Sequence, residues 1–161
     1  MTGRRTALSL TVAALTVSAL ALTGAPAQAD GATNIRVLNS RHCLDNATEN
    51  EAKLQMWTCG GGNEQMWQTE DMGGGLFRFN NEWSNRCITA PSWPAVGQIT
   101  MGDCYPSLST QLWRRYATGP SGMVMWQSAY SGECMTTPSV ANGTAVLAQT
   151  CETTDQYDWW Q

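Results

Sequence analysis

The chain has 161 residues, 42% of them hydrophobic and only 14% charged, with a formal net charge of −4. A soluble domain is usually about 25% charged; here Gly, Ser, Thr, Asn and Gln fill the difference, which suits a turn-rich surface and disfavours long helices. Basic residues cluster only as the pairs Arg4-Arg5 and Arg114-Arg115, which excludes an electrostatic footprint for nucleic acid or an anionic membrane.

In chain order, residues 1–29 come first and read as a secretory signal. Arg4 and Arg5 precede an apolar run from Ala7 to Leu22, and a small-residue stretch ends in the A-x-A site Ala27-Gln28-Ala29. The run is too short and too rich in Ala, Ser and Thr for a membrane span, which needs about 20 apolar residues. Cleavage before Asp30 is expected to give a secreted, extracellular domain, residues 30–161, with 7 basic against 13 acidic residues and no membrane insertion.

All six cysteines lie in that domain, at Cys43, Cys59, Cys87, Cys104, Cys134 and Cys151. An even count in an exported chain argues for disulfides, although six cysteines allow about 15 pairings. The gaps of 16, 17 and 17 residues select three local bridges, Cys43–Cys59, Cys87–Cys104 and Cys134–Cys151. Each closes a loop worth about 3 kcal/mol in the chain-entropy model. A zinc site would need short Cys pairs or Cys/His clusters, and the only histidine is His42. Neither a metal nor another cofactor is expected.

The same rhythm runs through other residues. Trp67, Trp113 and Trp159 fall 46 residues apart, each shortly after a Gln: Gln65-Met66-Trp67, Gln111-Leu112-Trp113 and, with one residue inserted, Gln156-Tyr157-Asp158-Trp159. A fixed period of this size means a repeat architecture. The units run over about residues 34–74, 75–119 and 120–161. Within them, short runs such as Leu54-Gln55-Met56-Trp57 and Leu76-Phe77-Arg78-Phe79 alternate with Gly, Asn, Pro and Ser clusters. Such runs predict about four strands per unit and twelve in all, an all-β fold. Three units are too few to close a propeller, which takes about 4–8 blades, and suit a pseudo-threefold barrel. After Trp159 only Trp160 and Gln161 follow, so the last strand is expected to be short, either fraying harmlessly or leaving the facing run Ile35–Leu38 as an open edge.

Cys43-Leu44-Asp45, Leu54-Gln55-Met56-Trp57-Thr58-Cys59 and Gln65-Met66-Trp67 together resemble one subdomain of a ricin B-type lectin. The resemblance spans residues 34–161 and implies a β-trefoil with three Q-x-W motifs, whose tryptophans are expected to pack in the core around the threefold axis. It also implies carbohydrate binding, with a galactose-type ligand. A pyranose offers vicinal hydroxyls and a face of C–H groups, so its site wants a carboxylate acceptor, an amide and an aromatic plate.

The resemblance places these in the first unit at Asp45, Gln55, Trp57 and Gln65. The family's Asn position holds Glu64, with Asn63 one place earlier; either Asn63 reaches in, or Glu64 supplies a second acceptor beside Asp45. The second unit has Thr89, Thr100 and Gly102 at the matching positions, and the third has Thr136, Leu147 and Gln149. Neither keeps the carboxylate or the plate, so at most one working site is expected. Catalysis is not expected: the one histidine gives poor material for a nucleophile pair, and no carboxylate pair sits in a glycosidase motif. The reading is a non-catalytic lectin. The alternative is an adaptor or inhibitor that binds another protein in a secreted assembly, its sugar sites vestigial.

Overall fold

Eleven strands of two to seven residues alternate with turns in the computed structural model, which describes residues 31–92 and 94–161. The leader expected over residues 1–29 lies outside the described residues. The strands are β1 (His42–Asn46), β2 (Leu54–Thr58), β3 (Trp67–Gly73), β4 (Leu76–Asn81), β5 (Arg86–Thr89), β6 (Gly97–Gln98), β7 (Thr100–Asp103), β8 (Trp113–Thr118), β9 (Val124–Ser128), β10 (Cys134–Thr136) and β11 (Leu147–Gln149). The only helical elements among the described residues are single 3-10 turns of three residues each. Where β3 turns into β4, Gly73, Gly74 and Gly75 take φ of +81°, +64° and +77° in succession, a path that L side chains resist.

The pairings close a ring. β3 pairs β4, β4 pairs β8 and β8 pairs β9, all antiparallel. Trp160 then bridges Val124 on one side and Val37 on the other, and Thr33 bridges Trp67 at the start of β3. Six segments therefore form a barrel. Three hairpins, β1–β2, β5–β7 and β10–β11, cap it, one from each repeat. The caps touch one another through Lys53↔Thr100, Gln55↔Ala145 and the β6–β11 pair. This is a β-trefoil.

Two details differ from the sequence reading. The segments at 33–38 and 159–161 form isolated bridges rather than full strands, which helps explain eleven strands instead of twelve. The expected open edge is also absent: Arg36 N–H donates to the Gln161 carbonyl (2.9 Å), Gln161 N–H returns to Arg36 (2.8 Å), and Leu38 N–H donates to Trp159 (2.8 Å). A terminal segment too short to be a strand can still meet the backbone demand of its neighbours, because those bonds need only a few residues in register.

The core repeats three times. Leu44, Ile88 and Met135, each following a first cysteine, are fully or almost fully buried, as are Leu54, Ile99 and Val146 at the start of, or just before, the second hairpin arms. The axial tryptophans are Trp67, Trp113 and Trp160, not Trp159. Each is at most 1% exposed. Each donates its indole N–H to the carbonyl just after a first cysteine: Trp67 to Leu44 (3.0 Å), Trp113 to Ile88 (3.3 Å) and Trp160 to Met135 (2.8 Å). Trp159 is half-buried and donates to Thr153 instead. The three expected disulfides are formed, with Cα–Cα separations of 5.1, 5.1 and 4.9 Å.

Candidate functional site

The first hairpin puts the polar residues of β1 and β2 on one face by strict alternation. Leu44, Leu54 and Met56 point into the core, so Asp45, Gln55 and Trp57 point away from it. Register pairs Asp45 with Gln55 and Cys43 with Trp57. Gln55 Nε2 donates to Asp45 Oδ1 at 2.9 Å. Gln65, on the 3-10 turn Asn63–Gln65, donates from Nε2 to Asp45 Oδ2 at 2.9 Å and to the Thr58 carbonyl at 3.1 Å. Its Oε1 accepts from Gly60 N–H at 2.8 Å. Asp45 is thus held by one amide on each oxygen. A carboxylate oxygen has about two acceptor sites, so one on each remains for a ligand hydroxyl.

A cleft of about 170 Å³ opens over this group, lined by Asp45, Thr48, Glu49, Gln55, Trp57 and Glu64. Trp57 is 42% exposed, an indole face available for stacking. Of the residues expected from sequence, Asp45, Gln55, Trp57 and Glu64 line the cleft, and Gln65 orients Asp45. Asn63 is exposed and does not line it. In a 3-10 turn, neighbouring side chains point about 120° apart, so only one of Asn63 and Glu64 can face the cleft. Glu64 faces it, its carboxylate folded over Gly62, where a Cβ would overlap it. Thr48 and Glu49 were missed: they sit in the turn after β1, and no motif marks them.

Burial raises the Asp45 pKa above the ordinary carboxylate value. The Gln55 and Gln65 hydrogen bonds oppose that rise, while the nearby negative charges of Glu64 and Glu49 add to it.

The other repeats show the same frame with different chemistry. Register places Thr89 opposite Thr100, with Cys87 opposite Gly102, and Thr136 opposite Leu147, with Cys134 opposite Gln149. These are the positions of Asp45, Gln55, Cys43 and Trp57. The residue after each second cysteine offers its N–H to the same partner position: Gly60 to Gln65, Tyr105 to Gln111 (2.9 Å) and Glu152 to Asp158 (2.8 Å). Asp158 therefore takes the Gln role in the third repeat. It is buried, and burial is the leading cause of its raised pKa, with hydrogen bonds from Thr136 and the Glu152 backbone opposing the rise. The third repeat carries a larger cleft, about 380 Å³, lined by Val96, Gln149, Thr150, Glu152, Asp155 and Asp158. Among the described residues it has no aromatic wall, and Gln149 stands where Trp57 does.

Solved structures with the same architecture include a designed threefold-symmetric protein, ThreeFoil, at 17% identity and TM-score 0.74, covering 82% of this chain and 97% of that one. The Haemophilus ducreyi cytolethal distending toxin matches at 19% identity and TM-score 0.68, over 85% of each chain. The Polyporus squamosus lectin, solved with a Neu5Acα2-6Galβ1-4GlcNAc epitope, matches at 13% identity and TM-score 0.70, over 83% of this chain and 49% of that one. These likenesses are of fold. No curated protein matches the sequence. The family model described as the ricin-type β-trefoil lectin domain matches residues 31–160, and with a trefoil of three disulfide-clasped repeats behind that match, the chain belongs to this lectin family.

Proposed function

We propose that the protein is a secreted, non-catalytic lectin that seats one pyranose in its first repeat. One observation carries the reading: Asp45, held on both oxygens by Gln55 and Gln65, shares a cleft with the exposed Trp57, and this set occurs in one repeat of the three. Asp45 accepts two hydroxyl protons in charge-assisted bonds. Trp57 covers the C–H face and keeps water from those bonds. Export is supported by the leader pattern and by three disulfides, which persist in oxidising compartments. A galactose-type ligand is the family expectation, with Glu64 replacing the amide donor.

A second reading, a platform for another protein, is favoured by the second repeat. Trp83, Tyr105 and Leu108 are exposed there, and Cys104 Sγ, 3.4 Å from the Asn85 carbonyl, sets their two loops side by side. A glycan panel probed with the wild type and with the Asp45→Ala, Trp57→Ala double variant separates the two. Binding lost in a double variant that keeps its near-UV circular dichroism supports the lectin. Binding that survives moves the site, and a wild type that binds no glycan selects the platform.

A further inference from the structure

The first-repeat cleft carries charge of one sign. Among the described residues, Asp45, Glu49 and Glu64 line it and no basic side chain does; Lys53 meets Glu49 at 3.5 Å, an exposed contact. The other polar lining residues are Thr48 and Gln55. Gln55 is 2% exposed and its Nε2 is committed to Asp45, while its Oε1 has no hydrogen-bond partner. A buried acceptor left unpaired costs free energy until something donates to it. The lining thus offers three carboxylates above a buried, unpaired amide oxygen, against two side-chain donors, the Thr48 hydroxyl and the Trp57 indole N–H.

A neutral pyranose matches such a wall imperfectly. Each of its hydroxyls can give a proton, but its own oxygens then find only the Thr48 hydroxyl and the Trp57 indole N–H as side-chain donors in return. An N-acetyl group adds a carbonyl acceptor with the same difficulty, and a uronic or sialic carboxylate adds repulsion. An ammonium group has three donors and no acceptor, and its charge opposes that of the cleft. Burial is the main cause of the raised Asp45 pKa, and the charges of Glu64 and Glu49 add to it in the sense expected of a one-signed cleft.

We propose that this cleft selects sugars carrying a free amino group, hexosamine units with a protonated amine, over their neutral and N-acetylated counterparts. The inference rests on the lectin reading of the same cleft. Calorimetric titration with galactosamine, galactose, N-acetylgalactosamine and galacturonic acid, and with the matching gluco series, tests it. The amino sugar should bind about five- to tenfold tighter than its neutral parent at low salt, the scale of one partly exposed ion pair. The uronic acid should bind weakest. The preference should shrink at high salt and in the Glu49→Gln, Glu64→Gln double variant. Equal affinity for amino and neutral sugars would overturn the inference and leave the lectin standing. Absence of binding to every sugar would overturn both.

Discussion

The first and third repeats meet one backbone requirement with opposite side-chain polarity. In each, the N–H after the second cysteine must find an acceptor below the hairpin. The first repeat uses the amide oxygen of Gln65, which leaves the amide nitrogen to hold a carboxylate at the cleft, Asp45. In the third the carboxylate is itself the acceptor, Asp158, and Thr136 stands where Asp45 would. Both repeats contain a buried acid, a polar partner and a cleft. Among the described residues, only the first has an indole lining the cleft with its acid. The third repeat thus commits its charge to the backbone where the first commits an amide, with the same fold around both.

The largest test of this correspondence is the core. Trp160→Ala should destabilise the protein by about 3–5 kcal/mol, and Trp67→Ala by as much, the usual range for emptying a buried aromatic. Trp159→Ala should cost far less; chemical denaturation of the three variants decides whether Trp160 is the true counterpart of Trp67.

Next comes binding. Asp45→Ala should weaken any sugar binding by roughly 1.5–3 kcal/mol, the range for a hydrogen bond to a charged group, while Thr136→Ala should leave it unchanged by calorimetry. Because the Asp45 pKa is raised, its ionised acceptor form disappears as pH falls at a higher pH than for a free carboxylate. Affinity should therefore decline on mild acidification, and that decline should be absent from the residual binding of Asp45→Asn.

The smallest effect concerns Asp158. Its folded-state pKa is raised, so its contribution to stability is fully present below the unfolded value and is lost as pH rises through the folded one. Asp158→Asn keeps an acceptor for Glu152 N–H and can donate to Thr136, as Gln111 donates to Thr89 at 3.1 Å. The variant should be more stable than wild type near neutral pH by about 1 kcal/mol, the scale of one hydrogen bond. The gain should vanish in acid; thermal melts across pH read it directly.

The trefoil was legible because its signals are periodic: cysteine gaps, tryptophans and turn clusters each repeat three times, and a register error in one is corrected by the others. Trp160 was not read correctly because the 46-residue tryptophan period points to Trp159. Counting nine residues from Cys104 to Trp113 and from Cys151 to Trp160 would have found it, as would allowing Asp158 to stand for Gln. In the cleft, Asp45, Gln55 and Trp57 follow from strand alternation, which sequence carries well. Thr48, Glu49 and the choice of Glu64 over Asn63 depend on the path of turns, where no period constrains direction.

The seam between residues 33–38 and 159–161 has a kinetic meaning. Each capping hairpin is local and clasped by its own disulfide, so it can form and oxidise with little loop-closure entropy to overcome. The Arg36–Gln161 pairing joins segments from the two ends of the described chain, a contact of the longest range and hence a late one. Folding should pass through oxidised, cap-containing species whose barrel is still unlatched. The first-repeat cleft, built almost wholly within the first cap and leaning on the third through Asn142 at Thr58 N–H (2.8 Å), should take shape before the barrel locks.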